Sequence, residues 1–182
     1  MKIRYRANPK KLLEALVLIT ENCPKSHYHF ILKTLFYADK FHLQRYGRPV
    51  TGDVYVKMSY GPVPSLAYDM LKKNENLPIS VLDAVQASLD VHHKGKYPAF
   101  SAKRRPDVSV FSGTDLECMK EALASCSPMG FGALTELTHR ERAWEEADMN
   151  QEMNFELFID DDLPNRDELI EYIRETAPCL AL

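Results

Sequence analysis

Between Phe30 and Phe41 apolar side chains point in nearly every direction around a helix: Phe30, Ile31, Leu32, Leu35, Phe36, Tyr37, Ala38 and Phe41. A surface helix carries one apolar stripe, whereas a helix that is apolar on all sides must be covered by neighbours on most of them. The rest of the chain is therefore expected to wrap around this element. Ser26 is placed to cap it, and it runs to Tyr46 and stops at Gly47, a residue able to take the left-handed conformation of a helix C-terminus. Asp39, Lys40, His42, Arg45 and Arg48 crowd its last turns and the residues just past its end, so polar chemistry meets the core here.

The flanking segments fit a mostly helical fold. Asn8-Pro9 starts a first helix over 9–22, with asparagine capping free amides and proline at a position whose missing N–H costs nothing. After a turn at 50–53, Val54 to Met58 alternates β-branched and aromatic residues and predicts a strand. Tyr60-Gly61-Pro62-Val63-Pro64 reads as a stiff corner, with Pro64 opening a short helix that ends near Asn74. A helix capped by Ser80 and a loop over 92–97 come next. Residues 97–102 and 108–111 have strand character and would join 54–58 in one small antiparallel sheet. Ser112 with Asp115, or Thr114 with Glu117, offers a capping box for the next helix. Phe131 to Thr138 is helical, and Phe155 to Ile159 is a short strand or turn. Asn165 with Glu168 caps a last helix through Thr176. The expectation is an α+β single domain over 1–182, mostly helical with a small antiparallel sheet.

At 182 residues, 45% hydrophobic and 27% charged, the chain is long enough for one real core. It contains no apolar run of membrane-spanning length and no apolar leader, which predicts a cytoplasmic protein that does not engage the membrane. Cys23, Cys118, Cys126 and Cys179 lack paired spacing and read as reduced thiols, with neither disulfide nor zinc. The net charge of −3 conceals an asymmetry. Residues 1–105 hold 18 Lys and Arg against 8 Asp and Glu, net +10, and residues 106–182 hold 5 against 18, net −13. Either the halves form opposite faces of a dipolar molecule, or they interleave and cancel locally.

Three kinds of chemistry are open to these residues. Asp39 and His42, three apart on one helix, could with His139 hold a metal or act as acid and base, although neither HExxH nor HxxxH spacing is present. A hydrogen bond at the helix end accounts for Asp39 and His42 equally well. No GxSxG elbow and no GxxxxGKS or GxGxxG phosphate loop occurs, which removes the familiar nucleophilic and nucleotide-driven enzymes. Basic residues interleaved with tyrosines could follow a phosphate backbone: Lys2, Arg4, Tyr5, Arg6, Lys10 and Lys11, then Lys94, Lys96, Tyr97, Lys103, Arg104 and Arg105. A sequence pI near 6.1 and the lack of a helix-turn-helix pattern argue against nucleic acid, and a solvated or protein-binding basic face uses the same residues. Tyr55, Tyr60, Tyr68 and Trp144 suit either a half-buried core role or an interface.

One stretch is more specific. Leu35-Phe36-Tyr37-Ala38-Asp39 with His42, the Tyr46-Gly47-Arg48-Pro49 end, Thr51-Gly52-Asp53, the Tyr60-Gly61-Pro62-Val63-Pro64 corner, and Leu137-Thr138-His139-Arg140 before Ala143-Trp144 occur in that order. Together they resemble the Panacea, or SocA-like, antitoxin domain, a family that includes phage-associated proteins. The resemblance spans about 10–148 and leaves 149–182 as a C-terminal strand and helix extension.

It implies a non-enzymatic antitoxin of a toxin–antitoxin system in bacteria or their phages, without cofactor, that binds a cognate toxin protein. Some members resemble adaptors that deliver the toxin to a AAA+ protease. Others carry an added DNA-binding segment, for which 1–8 leave no room. Under this resemblance Asp39, His42, Tyr60, His139, Arg140 and Trp144 are motif-forming or partner-binding residues. Asp39 and His42 are expected to tie the central helix to the Gly61-Pro62 corner and to the His139–Trp144 segment. Toxin choice would lie in 74–96 or in the acidic tail.

Overall fold

A computed structural model of the chain describes residues 3–93 and 95–180. Its first helix, α1 (Pro9–Asn22), is capped as expected: the Asn8 side chain accepts from the amides of Lys10 and Lys11. The central helix α2 (Tyr28–Tyr46) is covered on all sides, and its buried residues include not only Ile31, Leu35, Phe36 and Ala38 but also Lys33, Asp39, Lys40 and His42. Gly47 ends it at φ +70°. Ser26 does not cap it. That residue belongs to a two-residue strand β1 (Ser26–His27), and its hydroxyl donates to the Cys23 carbonyl instead.

The expected single sheet is replaced by two small antiparallel ones. In the first, β2 (Tyr55–Met58) pairs with β3 (Gly61–Pro64), the segment read from sequence as a corner. Prolines normally disqualify a strand, but Pro62 and Pro64 alternate, so both missing N–H groups fall on the side away from β2. In the second sheet β5 (Ala99–Ala102) lies between β1 and β4 (Leu89–His92). Residues 108–110 form a 3-10 helix rather than a strand, because the Asp107 side chain accepts from the Ser109 amide and draws the backbone into a turn. Asn154 does the same for the 3-10 helix Phe155–Phe158.

Between the sheets run α3 (Ser65–Lys72) and α4 (Ile79–Ser88). After them come α5 (Gly113–Cys126), α6 (Phe131–His139), α7 (Arg142–Glu145) and α8 (Arg166–Thr176). The capping box that opens α5 is Ser112 with Asp115, not Thr114 with Glu117. Asn165 makes no side-chain cap on α8. The fold is α+β as expected, mostly helical, with α2 packed chiefly on α5.

The C-terminal extension is built into the core. The amide of Lys57 donates to the Gln151 carbonyl and that of Met153 to the Tyr55 carbonyl, so 150–153 pair with the edge of β2 that faces away from β3. Phe158 is then fully buried, with its ring 5.0 Å from that of Phe36 and 5.4 Å from that of Tyr55. Tyr172 of α8 lies over Gly47, where an added Cβ would sit 2.5 Å from the tyrosine ring. Gly47→Ala should therefore both strain the left-handed cap and push α8 away. The expected loss is about 1–3 kcal/mol in urea denaturation, with faster amide exchange concentrated in α8.

Candidate functional site

The polar residues of α2 reach outward to four different segments, and each makes a distinct joint. Asp39, fully buried, accepts from the Thr51 amide (2.7 Å), the Thr51 hydroxyl (2.6 Å) and the Tyr55 hydroxyl (2.9 Å). Burial raises its carboxyl pKa despite these bonds. Two residues beyond Thr51, Asp53 accepts from the Leu66 and Ala67 amides at the start of α3, and burial pushes it up to about 7. The Thr51-Gly52-Asp53 turn is thus pinned to α2 on one side and caps α3 on the other.

His42 faces another way. Its Nδ1 lies 2.7 Å from the Arg48 carbonyl, so that nitrogen carries the proton, and Nε2 then accepts from the Thr114 hydroxyl at 2.9 Å. Burial lowers its pKa and keeps the ring neutral. Beside it Asp115 receives Lys11 (3.0 Å) and Arg48 (2.9 Å). Burial alone would raise the Asp115 carboxyl, but the Ser112 amide, Arg48 and Lys11 hold it below the usual range. Lys40 bridges Glu141 (2.5 Å) and Asp160 (2.7 Å).

The fourth joint involves Lys33, which is 2% exposed. Its Nζ donates to the Pro62 carbonyl at 2.7 Å and, among the described residues, has no carboxylate partner. Burial pushes this ammonium down to about 7. Gly61, at φ +101°, leaves no room for a Cβ, which would meet Thr138 Oγ1 at 2.4 Å and Lys33 Cε at 2.8 Å. Nearby, His139 stacks on Trp144 with centroids 3.8 Å apart and planes 11° apart. The Trp144 Nε1 donates to the Met58 carbonyl at 3.1 Å, and the Lys57 ammonium sits 4.3 Å from the indole ring.

The six residues singled out by sequence thus divide in three. Asp39 and His42 are buried, His139 and Trp144 pair with each other half-buried, and Tyr60 and Arg140 are exposed. Contrary to that expectation, Asp39 and His42 do not hydrogen-bond to the Gly61-Pro62 corner or to His139–Trp144; Asp39 holds the Thr51–Tyr55 segment, and His42 holds the Arg48 carbonyl and the start of α5. Lys33 makes the link to the corner. Asp39, His42 and His139 are engaged separately, and no three His, Cys, Asp or Glu side chains among the described residues converge on a metal-sized site.

The matching run of motifs has a counterpart in a family model. The model described as "Antitoxin SocA-like, Panacea domain" matches residues 31–145. The chain belongs to this family. The comparisons with curated proteins and with solved structures return no match. The Panacea match begins inside α2, later than the motifs suggested, and ends at the last residue of α7. It contains all four joints on the α2 side, whereas Lys11, Asp160, Phe158 and Tyr172 come from outside it.

Lys33, Lys40, Asp53 and Asp115 were not among the candidate site residues read from sequence. A lysine set within an otherwise apolar helix was the available signal for Lys33; nothing local shows that the other three reach distant partners. The basic residues noted as possible phosphate contacts are largely neutralised. Arg104 makes two bonds to Glu14 (2.8 and 2.6 Å), Arg4 pairs with Glu152, Lys10 with Asp107 and Lys103 with Asp90. Lys2 and Lys94 lie outside the described residues. The halves of opposite charge interleave, as Lys11–Asp115, Lys40–Glu141 and Arg45–Glu121 illustrate. No helix among the described residues is long and apolar enough to cross a membrane.

Proposed function

We propose that the chain is an antitoxin that neutralises a cognate toxin by direct protein–protein binding in the cytoplasm, without catalysis of its own. The supporting observation is how the family segment spends its polar groups. Asp39, His42, Asp53, Asp115 and Lys40 are all committed to joints between elements, which makes a rigid frame. Tyr60 and Arg140, left on the surface of the same segment, are residue types enriched at interfaces. The acting unit is taken as 1–182, because α1 and the C-terminal extension complete the packing around α2.

The test is co-expression with the product of the adjacent gene. A toxic neighbour should lose its toxicity and co-purify with this chain in stoichiometric amount; a neighbour that stays toxic and elutes separately counts against the reading. If a AAA+ protease is a further partner, toxin levels should fall in protease-proficient cells only, whereas equal levels in both strains mark occlusion. For the metal-enzyme alternative through Asp39, His42 and His139, elemental analysis of untagged protein decides: stoichiometric zinc, iron or manganese would favour it.

A further inference from the structure

We propose that the toxin-binding surface is the face formed by Met58, Tyr60, Phe131 and Met149 with Glu145 and Asp148 at its edge, and that it receives a toxin segment carrying apolar anchors flanked by Lys or Arg. This rests on the antitoxin reading. Tyr60 is 62% exposed and Phe131 56%, and their rings meet edge to face at 5.3 Å. Phe131 is backed by His29 at 4.1 Å, whose Nε2 is in turn fixed by the Thr135 hydroxyl at 2.8 Å. Met58 (36%), two residues before Tyr60, and Met149 (48%) are exposed as well. Met149 precedes Asn150, whose amide donates to the Lys57 carbonyl beside Met58.

What lies beneath this face is stiff. Lys33 holds the Pro62 carbonyl, Trp144 holds the Met58 carbonyl, and Gly61 is packed against Thr138 and Lys33. The β2–β3 turn that presents Tyr60 is therefore fixed before any partner arrives, and aromatic anchors on a rigid base bind at low entropic cost. Here Tyr60 stands out from the supported turn and Phe131 from the start of α6 beside it.

Charge selects the partner. Lys57 Nζ donates to the Glu145 and Ala147 carbonyls, which brings the 145–148 run, exposed at Glu145, Glu146 and Asp148, against the turn. Among the described residues the Glu145 and Asp148 carboxylates make no ion pair, unlike Glu146, which takes Arg142. Unpaired carboxylates beside exposed aromatics favour a cationic, amphipathic segment and repel an acidic one. By contrast, Arg4, Lys10, Lys11, Lys103 and Arg104 of the interleaved basic stretches are already paired within the chain. Ile79, 77% exposed, is the large apolar residue that the described part of 74–96 leaves most open, and it serves as the comparison surface.

The experiment uses the full chain co-expressed with the adjacent gene product, and calorimetry of the purified pair. Tyr60→Ser with Phe131→Ser should weaken binding by at least about 100-fold while leaving the thermal midpoint unchanged, since both rings are largely exposed. Glu145→Lys with Asp148→Lys should weaken it about 10-fold at low salt and less at high salt. Ile79→Ser should bind like wild type. Wild-type affinity in the Tyr60/Phe131 variant, or loss of binding only in Ile79→Ser, overturns this surface and leaves the antitoxin reading intact. A wild-type chain that does not bind its neighbour overturns both. A concentration-dependent dimer abolished by the Tyr60/Phe131 variant would assign the face to a second copy of the chain instead.

Discussion

Replacing Asp39 by alanine is expected to lower stability by about 3–5 kcal/mol, a large part of what a domain of this size has. The carboxylate is fully buried and accepts three hydrogen bonds, from the Thr51 amide, the Thr51 hydroxyl and the Tyr55 hydroxyl. Alanine leaves all three donors in the core without an acceptor, and each buried, unmet group costs about 1–3 kcal/mol before relaxation. The effect should spread beyond the site. Thr51 precedes Asp53 by two residues, so freeing the turn also loosens the cap on α3. Asp39→Asn retains one acceptor oxygen but turns an NH2 group toward the donors, and should lie between alanine and wild type. Chemical denaturation measures both, and a loss below about 1 kcal/mol for alanine would mean that the Thr51–Tyr55 segment is held by something other than this carboxylate.

The second large effect depends on pH and concerns Lys33. Its ammonium is buried with a carbonyl as its hydrogen-bond acceptor, and burial lowers its pKa from 10.5 to about 7. Between these two values the unfolded chain holds the proton and the folded chain does not, so stability rises with pH, by about 1.4 kcal/mol per pH unit from this group. Below pH 7 the folded chain carries the full cost of an unpaired buried charge. Lys33→Met keeps the length of the side chain and removes the titration. Wild type should therefore gain about 4 kcal/mol relative to Lys33→Met between pH 7 and pH 10, whatever the constant cost of leaving the Pro62 carbonyl without its donor. Urea denaturation of the two proteins across this range checks it, and parallel pH profiles would show that Lys33 is not desolvated in the folded state. Comparison within the pair matters because Asp53 works in the opposite direction at lower pH: raised to about 7, it loses stability as pH climbs from its ordinary value near 3.8.

Both effects concern charges inside the helix that the sequence marks most clearly. All-round apolarity from Phe30 to Phe41 determined that α2 would be enclosed, and it is. Asn8 on α1 and Gly47 after α2 were equally legible, because a cap is made by residues a few positions apart and needs no distant partner; for α5 the sequence offered Ser112 with Asp115 and Thr114 with Glu117 alike, and the structure takes the first. The family motif likewise drew attention to Asp39, His42, His139 and Trp144 without knowledge of their neighbours. Ser26 and Asn165 show the limit of such reasoning, since a cap-forming residue type can be recruited elsewhere or left idle.

What the tertiary structure alone decided was which groups meet. Asp39 and His42 are three residues apart, hence neighbours on one side of the helix, yet serve different segments, because the chain that reaches each of them arrives from elsewhere. The partners Thr51, Tyr55, Thr114 and Asp115 are brought there by loop closure, which leaves no periodic trace in sequence. Strand pairing failed for the same reason: Gly61–Pro64 becomes a strand because β2 lies beside it, and Val108–Val110 does not because Asp107 caps a turn first. The central helix was thus written in the order of its own residues, while the joints that fix it, and the exposed Tyr60–Phe131 face they support, exist only once distant parts of the chain come together.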